Sequence, residues 1–204
     1  MLNIHARDAV GKAVDPLGAR LARAGVTANV ITVIGTCGVV GAALGFFTIG
    51  WWFTGTLVIT GFVLLDIVDG AVARAGGTAS PFGGVLDSTA DRIADAAVFG
   101  SLCWYFARHD QPGPLLAALL CLVLGSLTSY IRARAEAAGM NATVGIAERA
   151  ERLIVVLVGT GLTGAPFRVP YVQAIALWLL VGASAITVVQ RLIAVYRQSH
   201  GAEA

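Results

Sequence analysis

Four aspartates, Asp66, Asp69, Asp87 and Asp91, stand in two pairs with members three and four residues apart. On an α-helix such neighbours share a face, so each pair projects its carboxylates from one side. The chain around them is 57% hydrophobic and 13% charged, with a mean hydropathy of +0.79. A carboxylate at the middle of a membrane-spanning helix costs about 2.5–3.5 kcal/mol, so four would cost on the order of 10 kcal/mol. That is comparable to the total stability of a domain. A divalent cation is the natural compensation. All-oxygen ligands suit Mg²⁺ or Mn²⁺, with Ca²⁺ also chemically acceptable. Four carboxylates from two adjacent helices suit two ions about 4 Å apart, the arrangement that clamps both oxygens of an in-line phosphoryl displacement.

The neighbours of the aspartates point the same way. Gly70 and Ala73 share the face of Asp66 and Asp69, and Gly83 lies one turn before Asp87. Small side chains there let a ligand or another helix approach the backbone. Taken singly, each glycine is equally well read as small-residue helix packing. Arg74 follows the first pair, where a guanidinium can hold a phosphate through paired hydrogen bonds.

The elements that must position these residues are helices. The expected fold is all-α: a polytopic membrane protein with six transmembrane helices and an N-terminal amphipathic surface helix. Residues 3–24 carry that helix, with Ala9, Val10, Ala13, Val14, Leu17, Leu21 and Ala22 on its apolar side and Arg7, Lys12, Arg20 and Arg23 toward water and headgroups. A solvated helix packed on the protein is the ordinary alternative, and Pro16 is a possible break. Six apolar stretches of roughly 20 residues follow, at 29–49, 53–74, 82–107, 113–138, 147–165 and 170–195. Trp51, Trp52 and Phe53 suit an aromatic belt at one interface. Residues 1–26 then form the juxtamembrane helix, 27–198 the six-helix transmembrane domain and 199–204 a tail. Most arginines fall on one predicted side, Arg108 and Arg168 on the other, which places both termini and the aspartates in the cytoplasm.

Other residue types carry less chemistry. Cys37, Cys103 and Cys121 lie in apolar runs without metal spacing and read as packing residues. His5, His109 and His200 fall in surface segments and are expected to be inert. The net charge of +2 gives no argument for a nucleic-acid partner. Asp95 extends the Asp87–Asp91 stripe by one turn, and both a hydrogen-bonding role behind the ligands and a helix-pairing role stay open.

The string Asp66-x-x-Asp69-Gly70-x-x-Ala73-Arg74, followed by Gly83-x-x-x-Asp87-x-x-x-Asp91, resembles the signature of the CDP-alcohol phosphotransferase family at all eight fixed positions. The resemblance implies that Asp66, Asp69, Asp87 and Asp91 are metal ligands and that Asp91 is also the base that deprotonates the attacking alcohol. It implies that Asp69, Gly70, Ala73, Arg74 and Gly83 form the CDP-diacylglycerol site. Thr27-Ala28-Asn29-Val30-Ile31-Thr32 looks like the family's T-P-N-x-x-T string with alanine for proline, which adds Asn29 and Thr32 to that site. An N-cap and a packing threonine account for those two residues equally well. The family precedent also implies a homodimer in the cell membrane.

The acceptor alcohol must be read elsewhere. Ser129-Tyr130-Ile131-Arg132 and Gly145-Ile146-Ala147-Glu148-Arg149-Ala150-Glu151-Arg152 concentrate charge beside the expected metal site. A positive girdle with Glu–Arg pairs along the helix is the plain alternative. These strings are similar to the family's bacterial phosphatidylinositol-phosphate synthase branch. That likeness implies an acceptor-phosphate site of Ser129, Arg132, Arg152 and Arg191, with inositol 1-phosphate as acceptor and CMP as leaving product. A phosphatidylglycerophosphate synthase, using glycerol 3-phosphate, is the rival within the family. A cation or proton transporter is the rival outside it, although transporters place acids near the midplane of broken helices.

Overall fold

The computed structural model describes residues 15–16, 18–76 and 80–201, with Asp66 and Ile67 described by backbone alone. Among the described residues six helices of 15 residues or more follow one another: α1 (Ala28–Phe46), α2 (Trp52–Gly76), α3 (Pro81–Arg108), α4 (Pro112–Ala137), α5 (Arg149–Thr163) and α6 (Val172–Gly201). Among the described residues there is no strand. Each helix overlaps one of the six apolar stretches, because a continuous apolar run can satisfy its backbone in lipid only as a helix.

The differences have local causes. The first stretch stops being α-helical at Phe46 and ends in a 3₁₀ turn, Phe47–Ile49, closed by Gly50 at φ +79°. Glycine takes that left-handed conformation without a steric penalty. Helix α5 starts at Arg149 rather than at 147. The N–H groups of Ile146 and Ala147 bond instead to the Thr187 hydroxyl on α6, at 3.2 and 3.1 Å. Helix α6 runs on past 195 to Gly201. Its last turns are tied to the α4–α5 loop by Gln198, whose amide donates to the Asn141 carbonyl at 2.6 Å and accepts from the Asn141 N–H at 2.8 Å.

Four of the helices are long and apolar enough to cross a membrane: Ala28–Ile49 with its 3₁₀ extension, Trp52–Gly76, Pro112–Ala137 and Val172–His200. This marks an integral membrane protein. Helix α3 is long but carries Asp87, Asp91, Arg92, Asp95 and Arg108. Helix α5 has 15 residues, about 22 Å at 1.5 Å per residue, short of a hydrocarbon layer of about 30 Å.

The chain divides into two compact units, one of residues 1–44 and 57–97, the other of 45–56 and 98–204. In the first, Ile31, Val68 and Val72 form a small core against which Leu21, Ala22, Val26 and Leu65 pack. Gly18 lies so close to α2 that a Cβ there would stand 2.7 Å from the Ala71 Cβ. The described end of the N-terminal helix thus packs on protein, with Arg20 and Arg23 exposed; residues 1–14 and 17 of the expected amphipathic helix lie outside the described residues. Gly38 of α1 rests on the Phe62 ring of α2.

In the second unit, α4 and α5 both pack on α6. Gly159 makes room for Ala176, and Gln173 bonds to the buried Thr160 hydroxyl at 3.1 Å. Of the expected aromatic belt, Trp51 is exposed, but Trp52 turns inward to meet Tyr105 edge-on at 4.4 Å. An indole flanked by Phe47, Tyr105 and Phe106 gains more from ring packing than from the interface. The three cysteines are free. His109 stacks on Tyr105, His200 lies tilted against Tyr196, and His5 lies outside the described residues.

Candidate active site

The first unit holds the aspartates. Asp69 of α2 is buried, and its Oδ2 accepts a hydrogen bond of 2.5 Å from the Thr32 hydroxyl of α1. The expected nucleotide contact Thr32 therefore holds a carboxylate in this structure. That hydroxyl also lies 3.1 Å from the Ala28 carbonyl, but it has one proton, and the shorter, charge-assisted bond to Asp69 takes it.

Helix α3 opens with Pro81, whose missing N–H costs nothing at a helix start. The Ser80 hydroxyl caps it by accepting the Gly83 N–H at 3.0 Å. A Cβ on Gly83 would sit 3.3 Å from that hydroxyl and 3.4 Å from the Asn29 Oδ1, so Gly83 is where the Asn29 side chain fits. Asp87 and Asp91 follow on the same helix, one turn apart, both half-buried. Arg92 reaches two acids, with Nη2 at 3.7 Å from both the Asp91 and the Asp95 Oδ2. Asp95, buried, thus shares one guanidinium with Asp91.

Among the described residues, which exclude the Asp66 side chain, no three His, Cys, Asp or Glu side chains converge as a metal-holding group. The donor set nevertheless fits a hard divalent ion in kind, being oxygen throughout. Gly70 and Ala73 continue the α2 face, and a Cβ on Gly70 would come within 3.3 Å of the Arg74 Nη1. Gly70 thereby leaves the guanidinium its place. Arg74 itself pairs with Asp15 at 3.1 Å, both exposed.

The second unit holds the expected acceptor residues. Arg152 of α5 is 2% exposed and Arg191 of α6 is 4% exposed, both unusually buried for arginine. Arg152 Nη1 donates to the Thr128 Oγ1 at 3.3 Å and to the Ala147 carbonyl at 3.1 Å. Arg191 donates from Nη1 to the Thr128 carbonyl at 2.6 Å and from Nε to the Val144 carbonyl at 2.9 Å. Arg132, Arg152, Glu136 and Glu148 all lie close enough to act on Arg191 electrostatically. Thr128 therefore joins Arg152 and Arg191, and Ser129 and Arg132 follow it on α4. Arg132 is the exposed member and pairs with Glu136 at 2.8 Å. The Ser129 hydroxyl, part-buried, turns back to the Gly125 carbonyl of its own helix at 3.2 Å.

Thr128, Thr187 and Asp15 of these networks carry no local sequence signal, whereas Arg92 has one in its place beside Asp91. The glycine of the Gly145–Arg152 string has a backbone explanation, since Gly145 stands at φ +139° and a Cβ there would collide with the Thr187 methyl.

A sequence model of CDP-alcohol phosphatidyltransferases matches residues 25–189. The phosphatidylinositol phosphate synthase of Mycobacterium tuberculosis is 47% identical over 193 residues, covering 93% of this chain and 88% of the relative. The synthase of Corynebacterium glutamicum is 42% identical over 195 residues, 95% of this chain and 88% of the relative. A crystal structure of the M. tuberculosis synthase with CDP-DAG bound superposes with a TM-score of 0.85 at 45% identity, over 91% of this chain and 94% of that one. Its complex with manganese and citrate gives the same TM-score at 46% identity, over 90% and 88%. The chain belongs to the CDP-alcohol phosphatidyltransferase family.

Proposed function

We propose that this protein transfers the phosphatidyl group of CDP-diacylglycerol to inositol 1-phosphate, giving phosphatidylinositol phosphate and CMP. The observation that carries the acceptor is the burial of Arg152 and Arg191 around Thr128, with Arg132 beside them. Clustered guanidinium groups suit a dianionic phosphate. The names of relatives 42–47% identical over most of the chain agree with it. Family membership replaces the transporter reading.

Asp66, Asp69, Asp87 and Asp91 would hold Mg²⁺ or Mn²⁺, two ions in this reading. When bound, such ions stabilise charge on the transferred phosphoryl group and on the departing CMP. Asp91 takes the proton from a ring hydroxyl of the acceptor. That oxygen forms the new bond to the lipid-linked phosphorus as the bond from phosphorus to the CMP oxygen breaks. Asn29, Thr32, Asp69, Gly70, Ala73, Arg74 and Gly83 form the nucleotide side, Thr32 by orienting Asp69. Arg74 can exchange Asp15 for a phosphate at little cost, since an exposed pair is worth at most about 1 kcal/mol. Ser129, Arg132, Arg152 and Arg191 bind the acceptor phosphate. Residues 27–198 act as the catalytic domain, with six membrane crossings, a homodimeric assembly, and both termini and the site on the cytoplasmic side of the cell membrane.

The test is acceptor competition. Purified protein with CDP-diacylglycerol and Mn²⁺ is expected to release CMP with inositol 1-phosphate, and far more slowly with glycerol 3-phosphate or free inositol. Release with glycerol 3-phosphate alone rejects the acceptor and keeps the family chemistry. Thr32→Val is expected to raise the Mn²⁺ concentration for half-maximal activity by about tenfold, the usual cost of losing a partner behind a metal ligand. An unchanged Mn²⁺ titration would detach Thr32 from the metal site.

A further inference from the structure

The geometry points to Thr128 as the positioning residue that sets the acceptor arginines, a role that rests on reading Arg152 and Arg191 as the phosphate site. Thr128 is 1% exposed and sits in α4, one turn before Arg132. It serves both arginines at once. Its hydroxyl donates to the Gly125 carbonyl at 2.8 Å and accepts from Arg152 Nη1 at 3.3 Å. Donation to Gly125 fixes the rotor, which leaves the oxygen lone pairs directed to the guanidinium. Its main-chain carbonyl accepts from Arg191 Nη1 at 2.6 Å. One residue of α4 thus aligns guanidinium groups from α5 and α6.

The chemistry of that contact matters for an anion site. A hydroxyl and a carbonyl hold a guanidinium in place without adding negative charge. A carboxylate at the same position would hold it more strongly and cancel the charge that a phosphate needs. Gly125, three residues earlier on the same helix, leaves room for the guanidinium: a Cβ there would lie 3.2 Å from the Arg152 Nε and 3.4 Å from its Cζ. The α4–α5 loop completes the frame. Arg152 and Arg191 bind the carbonyls of Ala147 and Val144, and Thr187 binds the N–H groups of Ile146 and Ala147. Each arginine therefore has two anchored acceptors, one in the loop and one on Thr128.

Thr128→Val keeps the side-chain shape and removes the hydroxyl. The KM for the phosphorylated acceptor is expected to rise about tenfold, the loss of one hydrogen bond to a charged group. The KM for CDP-diacylglycerol is expected to stay within about twofold, and kcat within about threefold, because the hydroxyl touches no reacting atom. Thr128→Ser is expected to restore the acceptor KM to within about threefold of wild type. Thr128→Ala should behave as Thr128→Val, so the Ala and Ser pair decides if the valine variant does not purify. An unmoved acceptor KM overturns the inference, as does equal damage to both substrates' KM or a serine variant as impaired as valine. The wild type's choice of acceptor tests the underlying reading separately. Should it use glycerol 3-phosphate, the same variants assayed with that acceptor still decide the role of Thr128.

Discussion

Replacing Asp91 with asparagine is expected to lower kcat for CMP release by about 10³-fold or more. General-base catalysis alone contributes about 10²–10⁴, and the substitution also removes an anionic oxygen offered to the metal. Asparagine matches the size of aspartate, and the Asp91 side chain is 19% exposed, so little packing is at stake. The Arg92 guanidinium keeps Asp95 as a neighbour at 3.7 Å. The melting temperature and helical content of the purified variant should therefore match wild type within a few degrees. Initial-rate measurement of CMP release at saturating CDP-diacylglycerol is the check. Residual activity above about a tenth of wild type would remove Asp91 from the role of base and leave it a ligand at most.

Arg191→Gln is expected to raise the KM for the acceptor about 10²-fold while the KM for CDP-diacylglycerol stays within about twofold. Loss of a buried charged partner costs roughly 1.5–3 kcal/mol per hydrogen bond, or about tenfold to a hundredfold in affinity. The same substitution strips the carbonyls of Thr128 and Val144 of a donor, so a lower melting temperature is also expected. Arg191→Lys separates charge from geometry. Lysine keeps the charge but lacks the planar fork that spans two carbonyls, so it should recover stability only in part and acceptor KM only in part. Full recovery of acceptor KM by lysine would mean that Arg191 acts as a point charge. An acceptor KM unchanged in both variants would place the phosphate site elsewhere.

Much of this protein is set by local periodicity. The pairs Asp66–Asp69 and Asp87–Asp91 share a face because an α-helix repeats every 3.6 residues, whatever it packs against. The six apolar stretches mark α1 to α6 because a chain in lipid must satisfy its own backbone. The third stretch, expected from 82, starts as α3 at Pro81, where the Ser80 hydroxyl caps the helix and the missing N–H costs nothing. The tertiary structure decided the rest. Thr32 holds Asp69 across 37 residues, and Thr128 meets Arg152 and Arg191 across 24 and 63. Arg74 meets Asp15, and Trp52 leaves the expected belt for Tyr105. A threonine in an apolar helix looks the same in sequence whether its hydroxyl bonds its own turn or a guanidinium from another helix. Only the packing of α4 and α5 on α6 distinguishes the two, because hydrogen bonds are made between atoms about 3 Å apart, and sequence spacing reports that distance only within a helix.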